Sequence, residues 1–291
     1  MKTRIICLFL AAILLVALPA CGTASRSANT SGADETEIRH YEAEDARYDG
    51  KVPVGGSVAQ IVGFYNNQAN AVKAADRITI KMHDVSEMDI DVPSMLRARL
   101  PSDTENLDSS KNETITETFV HGKGTNDVSL TLNDFLPVKG KHFVSQLETD
   151  HVQSASCAEQ DDGWVVTINL KDEPLDMSVM AAYSTDMSEA ERQSMMDDFL
   201  LKSGYGSSMK IELGSDLLRD RGNTQDRQRP GFAGSMSMEG GFQDGVIIAV
   251  FDKDSQLISL THSYHMNMGT SVIGMKISMN TVAKQEYQFT W

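Results

Sequence analysis

The stretch that decides the fold is "GVIIAVFDKDSQLISLTHSYHMNMGTSVIGMKISMNTVAKQEYQFTW", residues 245–291. Ile258, Leu260, His262, Tyr264, Met266 and Met268 alternate with Ser259, Thr261, Ser263, His265 and Asn267. A two-residue period puts successive side chains on opposite sides of a strand, so one face is apolar and the other polar. Ile273, Met275, Ile277 and Met279 continue the pattern, as do Tyr287, Phe289 and Trp291. The "DKDS" turn at 252–255 breaks the run where a hairpin needs it. The segment predicts a meander of four strands, antiparallel and buried on one side.

Toward the N-terminus the period changes. In "SVAQIVGFYNNQANAVKAAD", 57–76, Val58, Ile61, Val62, Tyr65, Ala69 and Val72 recur at helical spacing behind Ser57, a good N-cap. Strand period returns in "RITIKMHDV" and predicts further strands at 114–120, 128–132, 142–148 and 163–170. The acidic stretch 89–113 carries no clear signal. A second helix is predicted over 187–202, with Ser188 and Glu191 at capping-box spacing, and a short one over 177–183. "LLRDRGNTQDRQRPGF", 217–232, reads as a basic loop. Helix followed by strands, twice over, predicts an α+β class: a curved antiparallel sheet with helices packed on one face. The order suggests two halves, 57–170 and 186–291, each with an Asp-Gly turn ahead of an apolar strand, at Asp162-Gly163 and Asp244-Gly245.

The first twenty residues have another purpose. Lys2 and Arg4 precede an apolar run from Ile5 to Leu18, the layout of a secretory signal peptide. It ends in Leu18-Pro19-Ala20-Cys21, which resembles a bacterial lipobox. That resemblance implies that Cys21 becomes the first residue of the mature chain and carries acyl chains, palmitate among them. The protein would then be exported and held at the cell membrane, facing away from the cytoplasm. Several acyl chains on one residue give an anchoring strength that a single chain does not. Residues 21–56 read as an anchored, flexible linker, because "GTASRSANTSGADE" has too little apolar surface to offset the entropy of ordering it. The remaining chain, 57–291, is long enough for one sizeable domain.

Loss of residues 1–20 removes Lys2 and Arg4 and no acid, so the formal charge moves from −15 to −17. Such a surface argues against nucleic acid as a partner. Of the three cysteines, Cys7 leaves with the signal peptide and Cys21 is acylated; Cys157 then has no intrachain disulfide partner and reads as a small buried residue.

Several local patterns suggest chemistry. "HSYHMNM", 262–268, brings two histidines and two methionines together, a soft-metal donor set. Strand alternation, however, separates His265 from His262, Met266 and Met268, which favours packing. Asp84, Glu87, Asp89 and Asp91 could offer oxygen to Ca²⁺ but alternate like the wet face of a strand. "SSMK", 207–210, matches Ser-x-x-Lys without its companion motifs. No hydrolase elbow, zincin motif, P-loop or dinucleotide fingerprint is present. No cofactor, metal or catalytic residue is expected.

A helix lying on the apolar side of such a sheet resembles the half-barrel of LolA- and LppX-like lipoprotein carriers. The segment Tyr65-Asn66-Asn67-Gln68-Ala69-Asn70-Ala71-Val72-Lys73 is similar to the "YNxxxNxVK" first helix of Gram-positive lipoproteins of unassigned role. The expectation is a non-enzymatic, membrane-anchored module that binds an apolar ligand or an envelope protein. Its site would lie between the first helix and the Met- and aromatic-rich strands, lined by Tyr65, His262, Tyr264, Met266, Met268, Met275 and Ile277. Two alternatives stand beside it: a structural or interaction lipoprotein whose apolar face is filled by its own helices, and an envelope hydrolase using a pair of acids across a cleft.

Overall fold

A computed structural model describes residues 45, 47–97, 108–175, 199–211, 237–272 and 275–291. The uninterrupted two-residue periods produce unusually long strands. In chain order the described elements are helix α1 (Val58–Ala71), β1 (Arg77–Asp91), the short helix α2 (Ser94–Arg97), β2 (Ser109–Val120), β3 (Lys123–Gly124), helix α3 (Leu132–Phe135), β4 (Val152–Gln160), β5 (Gly163–Leu170), β6 (Glu173–Pro174), helix α4 (Gly204–Ser208), β7 (Ser237–Asp252), β8 (Leu257–Val272) and β9 (Met275–Thr290). They form one nine-stranded, antiparallel, unclosed sheet in the order β3-β2-β1-β9-β8-β7-β5-β4, with β6 beside β7. At about 3.3 Å per residue, the 16-residue strands reach about 50 Å.

The C-terminal segment holds three strands where four were expected. Residues 275–290 contain no turn chemistry, and Ile277, Met279, Thr281, Ala283, Gln285, Tyr287 and Phe289 are all buried, which keeps β9 in one piece. Trp291, placed with this face by sequence, is 41% exposed. Two register shifts re-aim side chains. One lies between Val250 and Phe251 on β7 and turns Ile258 outward while Leu257 is fully buried. The other lies at Asp244-Gly245: Asp244 takes a positive φ of 53°, and a Cβ at position 245 would come within 2.5 Å of the Tyr205 ring. The hairpin at 252–256 forms as expected, with the Asp252 carboxylate accepting from the backbone N–H groups of Asp254 and Gln256.

The two supposed halves share a single sheet and core. β1 pairs with β9 over an unbroken register from Thr79↔Thr290 to Asp91↔Ser278, and β5 pairs with β7. The core also begins before Ser57: Tyr48 and Val52 pack against it, and the Asp45 N–H donates to the Asn67 side chain. The part of the expected linker that is described therefore belongs to the body. Most of the second predicted helix, all of the 177–183 helix and the basic loop lie outside the described residues.

Two predicted strands, 128–132 and 142–148, are absent, and each has a physical cause. At 127–135 side chains capture the backbone. Asp127 accepts from Ser129 N–H, and Thr131 caps α3 by accepting from Asp134 N–H. Val128, assigned to a strand face, is 82% exposed. The preceding loop is gathered by Glu117, whose carboxylate accepts from the backbone N–H groups of Thr118, Thr125, Asn126 and Asp127. Those bonds, Asn126 foremost, hold its pKa below the usual carboxylate range.

Segment 142–148 bends at His142 and Val144 and pairs with side chains of α1. The Asn70 carboxamide accepts from Val144 N–H (2.6 Å) and Ser145 N–H (2.9 Å) and donates to Ser145 C=O (2.8 Å). One turn earlier, Asn66 donates to Leu147 C=O (3.0 Å) and accepts from the Ser145 hydroxyl (2.7 Å). Spacing of i, i+4 puts both amides on one helix face, where they stand in for a neighbouring strand. Lys73, two turns from Asn66, reaches Asn133 Oδ1 (2.9 Å) and Lys141 C=O (3.3 Å). Conversely β4, a strand missed in the sequence, is an edge with only Val152 and Cys157 buried, so its alternation is invisible. Asn70→Ala orphans three buried backbone groups and should lower the free energy of unfolding by about 2–4 kcal/mol in urea titrations. A loss below about 1 kcal/mol would show that the clamp does not hold the segment.

Candidate functional site

On the sheet face that meets α1, the cross-strand register assembles three polar residues. Asp84 of β1 stands opposite Gln285 of β9, and Gln285 stands opposite His262 of β8. All three are fully buried. Directly opposed residues on one face have Cβ atoms about 5 Å apart, so the three form a continuous polar row through an apolar core. Two residues along β9 lies Ala283, between Ser86 and Tyr264, and beyond it Thr281, between Met88 and Met266.

The row is only partly satisfied. Asp84 Oδ2 receives Lys111 Nζ (3.0 Å) and Lys210 Nζ (3.2 Å). Burial works to raise the Asp84 carboxyl, and the charges of Lys210 and Lys111 with their hydrogen bonds overcome it, leaving it below the usual range. Lys111 also lies 3.8 Å from Glu113. The Tyr65 hydroxyl of α1 is 3.5 Å from His262 Nε2, the donor depending on the imidazole tautomer. Burial pulls the His262 pKa down to about 3, so the ring is neutral. Asp84 Oδ1, His262 Nδ1, Thr281 Oγ1 and both amide atoms of Gln285 are buried with no hydrogen-bond partner among the described residues. Such groups in a core cost about 1–3 kcal/mol each.

The residues expected to bind ligand fall along this same face. Tyr65 and His262 meet, and Tyr264, Met266 and Met268 follow His262 along β8. Ile277 lies across from Thr270 on β9; Met275 starts that strand, and its side chain lies outside the described set. Tyr264 is also in an aromatic group with Phe242 and Tyr205, whose rings stack at 4.9 Å. The face is packed unevenly. Ile78, Ile80, His262 and Leu260 are sealed, whereas Met88, Ile90, Val92 and Met268 retain 8–9% exposure. The register places Met88, Ile90 and Met268 with Met279 at one end of the sheet, and Val92 follows just past the end of β1.

A concavity opens beside the asparagine clamp, a cleft of about 520 Å³ lined by Asp45, Arg47, Asn66, Ser145, Gln146, Glu148, His151, Leu201, Lys202 and Ser207. Arg47 grips Asp45 through Nε (2.7 Å) and Nη2 and donates to Leu147 C=O. His151 Nδ1 lies 2.7 Å from Glu173, whose carboxylate also accepts the Gly204 N–H. The cleft is polar and internally bonded, with Asp45 held by Arg47 and Glu148 on the same lining.

The other sequence signals disperse. His265 points to the opposite face toward Asp244 (3.0 Å), so the "HSYHMNM" donors do not converge. Among the described residues no group of three His, Cys, Asp or Glu could hold a metal. Asp84 faces inward while Glu87, Asp89 and Asp91 face out, which dissolves the acidic patch. Ser207 donates to Gly204 C=O at the end of α4 and Lys210 reaches Asp84, so the Ser-x-x-Lys pattern builds no nucleophile. Cys157 is buried, and burial raises its thiol pKa. The polar row itself escaped sequence reading, although Asp84 and Gln285 each interrupt an apolar alternation; their register was the missing information. Compared with protein-family models, curated proteins and solved structures, the chain matches none.

The neutral His262 has a measurable consequence. Its folded pKa near 3 lies below the unfolded value near 6.5, so its contribution to stability is full above pH 6.5. As pH falls from 6.5 toward 3 the unfolded chain takes the proton first, and stability drops by about 1.4 kcal/mol per pH unit from this group. Denaturation of wild type and His262→Gln between pH 6.5 and 5 should show the slope reduced by that amount in the variant; parallel slopes would mean that the imidazole is not buried neutral.

Proposed function

We propose that the protein is a membrane-anchored, extracytoplasmic lipoprotein acting as a non-enzymatic binding module for an apolar ligand, held through acylated Cys21. The observation that carries the ligand reading is the methionine-rich end of the inner sheet face. There Met88, Met266, Met268 and Met279 come together from three neighbouring strands, and two of them keep residual exposure. Thioether side chains are adaptable and polarizable, and such linings accommodate varied apolar occupants. The finer architecture belongs to the same proposal: helices gathered on one face of a curved sheet. Phe64 of α1 against Phe251 of β7 (5.0 Å) and Tyr205 of α4 against Phe242 of β7 support it.

An interaction lipoprotein with a self-filled interior is the second reading. The sealed end supports it, where Ile61, Phe64 and Tyr65 of α1 are fully buried. The two are separated by mixing residues 22–291, which retain every described residue, with lipid extract and identifying bound lipid by mass spectrometry. Stoichiometric lipid, lost in a Met268→Lys variant that keeps its fold, is expected; bare protein favours the self-filled interior. Anchoring is tested separately. Radioactive palmitate should label the wild-type protein and leave Cys21→Ala unlabelled, and equal labelling of both would refute attachment at that thiol.

A further inference from the structure

The cleft beside the asparagine clamp carries two opposite charges that the rest of the protein leaves unused. We infer that this cleft is a binding site for a small zwitterion, with an ammonium and a carboxylate on one molecule, as in an α-amino acid or a short peptide. It shares no residue with the apolar face, so it is independent of the ligand reading given above.

The walls are settled by bonds within the protein. The Asp45 carboxylate accepts from the Arg47 backbone and guanidinium and from Asn66 Nδ2 (2.9 Å). Burial works to raise its pKa, and the hydrogen bonds from Arg47 and Asn66 overcome it, so the acid stays ionised and committed. Ser145 donates to Asn66, and Ser207 donates to Gly204 C=O. Gln146 N–H donates to Ser207 C=O (2.9 Å) and joins two of the chain segments that line the cleft. His151 Nδ1 faces the Glu173 carboxylate, which only accepts, so the proton sits on that nitrogen and Nε2 is left over. A wall whose own bonds are complete is preorganised for a ligand.

The charges say what kind. Arg47 cancels Asp45, and two charged lining groups remain, Lys202 and Glu148. Both are exposed, and neither makes an ion pair with the other or with any described residue. Opposite charges that share a lining without meeting suit a molecule that carries both signs. A lone anion would meet Glu148, and a lone cation would meet Lys202. Arg47 keeps Nη1, whose two N–H groups have no acceptor among the described residues and offer a second donor to a carboxylate. The formal charge of −15 argues the same way, since it repels a free anion and leaves a zwitterion unaffected. The volume of about 520 Å³ falls within the about 300–1,000 Å³ usual for small-molecule sites. It admits either source of this chemistry, a free amino acid or a short peptide.

Thermal midpoints and calorimetry on the full chain in non-ionic detergent test the site with three probes. They are an equimolar mixture of the common amino acids, an equimolar mixture of alanyl dipeptides, and the same dipeptides acetylated at one end and amidated at the other. Stabilisation by free dipeptides alone, absent with the blocked ones, supports the site and a peptide source; stabilisation by the amino acids supports the site and a free amino-acid source. In either case Lys202→Met and Glu148→Gln should each weaken binding by about tenfold or more. Both positions are exposed, so the midpoint of the unbound protein should not move. Lys202→Met should cost nothing further against a probe amidated at its carboxylate, nor Glu148→Gln against one acetylated at its amine, a pairing that a merely structural role does not produce. Equal binding of blocked and free probes, unchanged affinity in both variants, or no stabilisation by any probe overturns the site, and each of these results leaves the apolar-ligand reading untouched.

Discussion

Two asparagines one turn apart decide whether this sheet has a cover. An extended segment with no neighbouring strand leaves its backbone polar groups to find other partners, and buried ones that fail are costly. Asn66 and Asn70 supply those partners from α1 to residues 144–147, and Arg47 adds a third donor at Leu147 C=O. The helix is thereby tied to a long loop on one side while Phe64 and Tyr65 reach the sheet on the other. The motif that resembles the first helix of Gram-positive lipoproteins is thus accounted for residue by residue. Tyr65 meets His262, the two asparagines hold the loop, Val72 is in the core, and Lys73 pins Asn133 and Lys141. It is a motif of assembly.

A different logic governs the interior. Most of the inner face is aliphatic, aromatic or methionine, and it could have been so throughout. Instead Asp84, Gln285 and His262 occupy one cross-strand row, with amide, carboxylate and imidazole atoms left unbonded. Removing one partner from such a network exposes the rest to an uncompensated cost, while replacing the whole by apolar groups is often stabilising.

What could be read from the chain follows from which forces act locally. The long strands of the C-terminal quarter and β1 declare themselves because one face is buried along their whole length. Ser57 capped its helix as expected, with Gln60 completing the box. Segment 142–148 looks like a strand because the groups that capture its backbone, Asn66 and Asn70, lie elsewhere in sequence, whereas at 128–132 the captors Asp127 and Thr131 are local and the alternation of Val128, Leu130 and Leu132 outweighs their signal. Edge strand β4 hides for the opposite reason, having too little buried surface to produce a pattern. Parity alone groups His262, Tyr264, Met266, Met268 and Ile277 on one face of the sheet, and all five are buried. The polar row required knowing that position 84 meets 285 and 285 meets 262, a fact of register that no local window contains.

The pairing of β1 with β9 has a further consequence. The strand that opens the sheet finds its central neighbour only in the final residues of the chain, so loop closure over nearly the whole body precedes that pairing. A polypeptide emerging N-terminus first would expose the free edge of its leading hairpin until synthesis or threading ended. Such a topology favours slow, late consolidation of the fold.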